Sequence, residues 1–285
     1  MTVGSGAGLR CGRISYTNDL PIYAAFDAGE VACPASLHAS VPTTLNRMLL
    51  AGELDVSPIS SFFFAQHAAR FFALPAVAIG SRTAVRSIYC IAKTPPSGLS
   101  GVEIAVTTES STGRNLFAAI CAEAYGFIPR YVESPDPFGA FTAKGTPCLV
   151  IGDKAIDAHL AVEPSHSHDI GELWYGLTGC QMIYALWAVR REVAAERPDA
   201  VSALDRALLM ASLWGRKHRD RVIADAESIF PRPQGFYAEY YQTLEFNPDA
   251  QSWQGLETFF RLAAKHGLLA SAPVIERFRM VPAHA

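Results

Sequence analysis

Apolar runs of strand length alternate along this chain with amphipathic segments of helical period, the pattern of an α/β protein. Residues 9–15 read as a first strand. Asn18-Asp19-Leu20-Pro21 opens the following helix, since Asn and Asp accept backbone N–H bonds at a helix start and proline fits the first turn. Residues 37–41 predict a second strand, and 43–50 a short helix stopped by Gly52. A third strand over 54–59 runs into Ser60-Ser61, which is expected to cap a helix over 62–70. Strands over 74–79 and 85–92 complete a first group. Residues 93–101, with two prolines, two glycines and two serines, form the expected crossover to a second unit.

That second unit begins with a strand over 103–107. Ser110-Ser111-Thr112 is expected to cap a helix reaching Tyr125, and a strand follows over 129–133. Residues 148–152 predict a buried strand, and Asp153 the cap of a helix over 154–160. A long strand over 182–190 returns to the first unit, and helices over 200–214, 216–229, 236–244 and 252–266 end the pattern. The expected architecture is α/β and two-lobed, of the periplasmic-binding-protein-like (type II) kind. Residues 1–94 and 184–285 make the first lobe, carrying the C-terminal helices, and 95–183 the second. A ligand would lie between the lobes, against strand ends and helix N-termini.

Composition narrows the class. Of 285 residues half are hydrophobic and 18% charged, which excludes a disordered chain. A net charge of −3 argues against a nucleic-acid partner. The 19 arginines against 5 lysines fit codon bias, though arginine's planar fork also suits carboxylates. No run approaches the roughly 18–20 apolar residues that cross a bilayer, and residues 1–8 lack the pattern of a secretory signal. Cys11, Cys33, Cys90, Cys121, Cys148 and Cys180 are scattered without a Cys-x-x-Cys pair, so a cytoplasmic protein without disulfides or structural zinc is expected.

The candidate chemistry lies at helix starts. Asn18-Asp19, Ser60-Ser61 and Ser110-Ser111-Thr112 each follow a strand directly, and Asp153 makes a fourth such junction. Helix N-termini expose unpaired N–H groups and the positive end of the dipole, which suits an anion. A single cap needs no ligand to explain it; the doubled polar residues invite one. Arg86 and Ser87 open an otherwise apolar strand on opposite faces. Arg86 reads either as a carboxylate clamp or as a surface ion pair, and Ser87 as a binding hydroxyl. Arg114, in the first turn of its helix, opposes the dipole unless an anion sits there. His166, His168 and Asp169, with His159 nearby in sequence, offer metal-ligand types, but residues 164–169 read as a polar loop and no cluster completes a site, so no metal is expected. Gly4-x-Gly6-x-Gly8 precedes its strand and fails the dinucleotide context. No nucleophile elbow, P-loop or zincin motif occurs, and no cofactor is expected.

The run Arg13-Ile14-Ser15-Tyr16-Thr17-Asn18-Asp19-Leu20-Pro21-Ile22-Tyr23 resembles the N-terminal signature of the chorismate dehydratase family of the futalosine route to menaquinone. The resemblance continues through Pro42-x-x-Leu45-Asn46, Gly52-Glu53-Leu54-Asp55-Val56-x-Pro58-Ile59-Ser60-Ser61 and Val85-Arg86-Ser87. It reappears at Ser110-x-Thr112, Ile151-Gly152-Asp153-Lys154-Ala155, Asp169-Ile170-Gly171-Glu172-Leu173-Trp174, and from Thr178-Gly179 to Ala185-Leu186-Trp187. Together these cover residues 9–190. The family has Ser where Gly113 stands here, so one hydroxyl is absent.

The resemblance implies a carbon–oxygen lyase that removes water from chorismate, giving 3-[(1-carboxyvinyl)oxy]benzoate without metal or redox cofactor. Asn18 is then catalytic, bonded to the leaving hydroxyl, and Ser87 binds a carboxylate or steadies charge developing on it. Ser60, Ser61, Arg86, Ser111, Thr112 and Asp153 are expected to bind substrate. No histidine falls in a matched motif, and Asp19 and Asp153 sit at helix starts, which leaves the substrate's own enolpyruvyl carboxylate as a candidate base. Two other readings stand beside this one. The sister lyase forming 1,4-dihydroxy-6-naphthoate shares the fold but carries a proline-rich run absent at residues 15–19. A non-catalytic carboxylate-binding protein would work outside the cytoplasm.

Overall fold

The computed structural model describes residues 8–108 and 111–279. Strands β1 (Leu9–Ile14), β2 (Ala35–Ser40), β3 (Val56–Ser60) and β4 (Phe71–Ser81) belong to one sheet. β5 (Ile88–Ile91), β6 (Glu103–Val106), β7 (Arg130–Glu133), β8 (Cys148–Ile151) and β9 (Ser167–Asp169) form a second, and β10 (Met182–Arg190) and β11 (Leu244–Glu245) return to the first. The helices are α1 (Leu20–Asp27), α2 (Pro42–Ala51), α3 (Ser61–Gln66), α4 (Ser111–Tyr125), α5 (Pro137–Lys144), α6 (Asp153–Leu160) and α7 (Ile170–Thr178). They continue with α8 (Arg191–Glu196), α9 (Pro198–Lys217), α10 (Arg219–Ile229), α11 (Phe236–Thr243) and α12 (Ala250–Lys265).

The sheets repeat one topology. The first runs β11-β4-β10-β3-β1-β2 and the second β7-β6-β8-β5-β9. In each, the unit's first strand lies between its second and third and parallel to both. The strand beside the third is antiparallel and arrives with the chain as it crosses over: β10 in the first sheet, β5 in the second. These long connections suit parallel pairing, which needs a crossover.

This topology corrects the expected boundary at residue 94. Ile88 to Ile91 pair with Ile151 to Cys148 of β8, and Tyr89 to Ile91 with β9, so this segment already belongs to the second lobe. The chain crosses at residues 82–87, and the Pro/Gly-rich stretch 93–101 is a loop inside that lobe. An apolar run buried on both faces announces its burial but not its partner sheet. For the same reason β4 extends beyond 74–79, and residues 167–169, read as polar loop, form a short edge strand. α5, α7 and α8 were not expected, although Pro137, Asp169 and Gly179 mark two of them: Asp136 and Asp169 cap α5 and α7, and Gly179 ends α7 in the left-handed region.

Local signals elsewhere do what their chemistry dictates. Pro21, Pro42 and Pro198 stand in first turns, and Gly52 closes α2 at φ +79°. The core under the first sheet includes Tyr23, Trp187, Phe64 and Phe259, all fully buried. Trp187 Nε1 donates to the Tyr23 hydroxyl (3.1 Å), which donates to the Gly12 carbonyl (3.0 Å), joining β10, α1 and β1. Burying each such aromatic contributes about 1.5–3 kcal/mol. α9 packs on α1 and β4. α12 packs on β10 and also touches α4, so the C-terminal helices sit on the first lobe and brace the second.

Candidate active site

The strand ends of both sheets converge on one cleft. From the first lobe it is lined by Ile14, Tyr16, Asn18, Pro42, Ser60, Ile79, Tyr184 and Ala185, and from the second by Ser111, Thr112, Gly113 and Ile151. Val85, Ser87 and Ile88 close it at the crossing, and it encloses about 610 Å³ of free space with its mouth included. The carboxyl ends of β1, β3 and β8 supply three of these positions, as expected for an open α/β sheet. Among the described lining residues there is no carboxylate, imidazole or cation. The walls are apolar, and polarity comes from an amide, hydroxyls and the N–H groups that open the fifteen-residue α4.

Asn18 and Ser87 face this cleft together. Asn18 lies in the turn between β1 and α1, and its Oδ1 is buried without a partner, as an atom awaiting a ligand would be. The Ser87 hydroxyl rests against the Val85 carbonyl at 3.3 Å, a long contact, and also meets the hydroxyl of buried Tyr240. Ser60 is positioned by Asn46: its N–H donates to Asn46 Oδ1 (3.3 Å), and Asn46 Nδ2 donates to its Oγ (3.4 Å). Gly152 holds φ +66°, ψ −150°, a conformation reserved for glycine. A Cβ there would lie 3.1 Å from the Tyr16 ring, so glycine lets that ring pack against the second lobe.

Several expected residues do other work. Ser60 and Ser61 do not cap α3 with their side chains. Ser61 is fully buried and donates to the Ile183 carbonyl at 2.6 Å. The cap comes from the other lobe, where Thr112 Oγ1 accepts from the Phe62 N–H at 3.0 Å. Arg86 and Ser87 precede β5 instead of opening it, and Arg86 takes φ +55°, so strict strand alternation does not apply there. Its guanidinium pairs with Glu239 at 2.8 Å and does not line the cleft, which is the ion-pair reading of that residue. Arg114 lies over the Tyr131 ring, 5.9 Å from its centre. Asp153 caps nothing with its side chain and does not line the cleft; it binds Thr17. Ser110 and the glycines at 4 and 6 lie outside the described residues.

Several described titratable groups nearby are not among the lining residues. Burial raises the Asp19 carboxyl well above its ordinary range, with Arg13 opposing that rise, and its Oδ2 has no hydrogen-bond partner. Asp169 accepts from the N–H groups of Val85, Arg86, Gly171 and Glu172 at 2.7–3.1 Å, fastening the crossing to the start of α7. His159 stacks on Tyr89, 4.5 Å between centres, and bonds Ser167. Among the described residues no three His, Cys, Asp or Glu side chains gather as a metal site. No described helix is long and apolar enough to cross a membrane.

Sequence reasoning missed Tyr184 as a lining residue and left Gly113 out of the site for want of a hydroxyl, yet both line the cleft. Tyr184 had a signal, a lone hydroxyl in an apolar strand, but strand alternation does not say which face meets the cleft. Its hydroxyl is 2.9 Å from Ser81 Oγ. Gly113 has no hydroxyl to offer, and its place on the cleft follows from the first turn of α4.

Residues 9–265 match the family described as menaquinone biosynthesis. A Thermus thermophilus protein named chorismate dehydratase is 32% identical over 207 residues, covering 67% of this chain and 72% of that protein. Among solved structures, one from Archaeoglobus fulgidus aligns with TM-score 0.72 at 18% identity, over 92% of this chain and 98% of that one. A Candida albicans protein described as having the generic periplasmic binding protein fold aligns at 0.71 and 12% identity, over 98% and 99%. The periplasmic aliphatic sulphonate binding protein SsuA of Escherichia coli aligns at 0.68 and 16%, over 99% and 96%. At these identities the structural matches speak for the fold, which is the two-lobed one expected.

Proposed function

The chain belongs to the menaquinone-biosynthesis family, and from that membership we propose that it is a hydro-lyase converting chorismate into 3-[(1-carboxyvinyl)oxy]benzoate and water. The observation that carries this reading is a cleft whose described lining is uncharged and rich in donors, with Asn18 and Ser87 on its wall. Chorismate is a dianion. Hydroxyls of Ser60, Ser87, Ser111 and Thr112 and the N–H groups opening α4 suit two carboxylates without burying a competing charge.

In the reaction the ring C–H beside the ether and the ring C–O bond to the hydroxyl break. Proton and hydroxide leave as water, and the ring becomes aromatic with no net oxidation. Asn18 holds the leaving hydroxyl, and Ser87 steadies the carboxylate toward which charge flows as the proton departs. The absence of a carboxylate or imidazole among the described lining residues favours the enolpyruvyl carboxylate of the substrate as proton acceptor. Orientation supplies much of the remaining barrier reduction. The reading carries a cytoplasmic setting with it, in keeping with six unpaired cysteines.

The deciding experiment incubates the pure protein with chorismate and follows a benzoate-type ultraviolet spectrum and a product mass lower by one water. Unchanged chorismate sinks the proposal, and capture without conversion assigns the cleft to a binding protein.

A further inference from the structure

We infer that Asp153 is a positioning residue that renders Asn18 competent only when the lobes are closed, acting through Thr17 and not on the substrate; this rests on the dehydratase reading of the cleft. Asp153 opens α6 in the second lobe, and Thr17 lies between β1 and α1 in the first. Both carboxylate oxygens are engaged across the gap: Thr17 N–H donates to Oδ2 at 3.2 Å and Thr17 Oγ1–H to Oδ1 at 2.5 Å. Both residues are buried, so water does not compete for these bonds.

From its own lobe Thr17 is held mainly through its carbonyl, which accepts from the Tyr241 hydroxyl at 2.9 Å and from the Leu20 N–H, while the Tyr237 hydroxyl meets its side chain. Separating the lobes breaks the two Asp153 bonds together, and with them the one partner that takes both the Thr17 N–H and its hydroxyl proton. The peptide that follows Thr17 carries Asn18, whose unpartnered Oδ1 belongs to the cleft wall. Arg232, between α10 and α11, makes the same crossing beside it: its guanidinium pairs with Asp157 at 2.7 Å and reaches the Asp153 carbonyl. The clasp therefore converts closure into a fixed orientation of the residue that acts, as a site assembled by domain closure requires.

The test uses the full chain as Asp153→Ala, Thr17→Val, their double variant and Asp153→Asn, with circular dichroism to verify folding. Two readouts are taken: chorismate kinetics, and amide exchange of residues 15–19 by mass spectrometry. Asp153→Ala and Thr17→Val are each expected to lower kcat about tenfold to a hundredfold with KM within about threefold, and the double variant to fall no further than the worse single one. Asp153→Asn is expected to lose no more than about fivefold, since its amide oxygen accepts the Thr17 N–H while its NH2 donates to Oγ1. Exchange at 15–19 should quicken severalfold in Asp153→Ala.

Wild-type kcat in Thr17→Val beside an inactive Asp153→Ala overturns the inference and places Asp153 on the substrate. An inactive Asp153→Asn beside an active Thr17→Val overturns it in favour of proton transfer. Unchanged exchange in Asp153→Ala overturns the clasp itself. Should wild type leave chorismate untouched, the dehydratase reading falls, and the exchange measurement still decides whether the clasp exists. Should Asp153→Ala fail to fold, Thr17→Val and Asp153→Asn carry the decision.

Discussion

Asn18 and Ser87 were singled out from short motifs, and the fold sets both on one wall. Asn18 Oδ1 has no partner, and the Ser87 hydroxyl meets the Val85 carbonyl and the Tyr240 hydroxyl. Replacing either by alanine is expected to reduce chorismate turnover at least a thousandfold, as for loss of a charge-stabilising donor, while the melting temperature moves by no more than about 2 °C for Asn18→Ala and about 5 °C for Ser87→Ala. Near-normal turnover in both variants removes them from the site. Asp205 shows the opposite kind of polar residue. It is fully buried on α9, one oxygen accepts the Ala76 N–H at 3.2 Å, the other has no partner, and burial pushes its carboxyl up to about 6. A carboxyl whose folded pKa exceeds its unfolded value binds extra protons in the folded state, so its stabilising share is complete below about pH 4 and is lost as pH rises toward 6. Asp205→Asn should therefore gain on wild type between pH 4 and 7 by about 2–3 kcal/mol, read as a widening difference in urea midpoint. A gap that stays constant across that interval contradicts the assignment.

The elements show how a residue's role depends on what packs beside it. Helix α3 has serines at its start, yet its N–H is satisfied by Thr112 from the other lobe. Nothing in the run Ser60-Ser61 indicates that, because capping partners are normally local and this one lies fifty residues away. Asp169, read as a candidate ligand on a loop, instead fastens four backbone N–H groups, two in the crossing 82–87 and two at the head of α7. Its replacement by alanine strands buried donors in both places and is expected to cost about 2–4 kcal/mol, measured by denaturant unfolding. A loss under about 1 kcal/mol would show that water takes over those donors.

The whole molecule is two copies of one sheet plan joined by two short crossings, with the cleft in between. A ligand there contacts both halves, so it binds only the assembled protein. Asn18→Ala, holding chorismate without consuming it, should gain about 2.7 kcal/mol of stability when chorismate stands at a hundred times its dissociation constant, seen as a rise of several degrees in melting temperature. An unmoved transition means that chorismate does not occupy the cleft.

Much of this was legible in one dimension, because it rests on local physics. Hydrophobic period gave strands and helices, prolines and glycines set the ends of α1, α2 and α9, and the order of units announced two lobes. The motifs around Asn18, Ser60, Ser87 and Thr112 led to residues that line one cleft. What residue order left open was every choice between long-range partners. The apolar segment 88–91 reads the same whichever sheet receives it, and only pairing with β8 and β9 put it in the second lobe. Arg86, Ser61 and Asp153 carry groups fit for a substrate, but Glu239, Ile183 and Thr17 reached them first. A polar side chain advertises what it can bond and not what will stand within three ångströms of it. That is settled when distant segments pack, and burial then enforces the pairing by the cost of leaving a donor or acceptor unmatched.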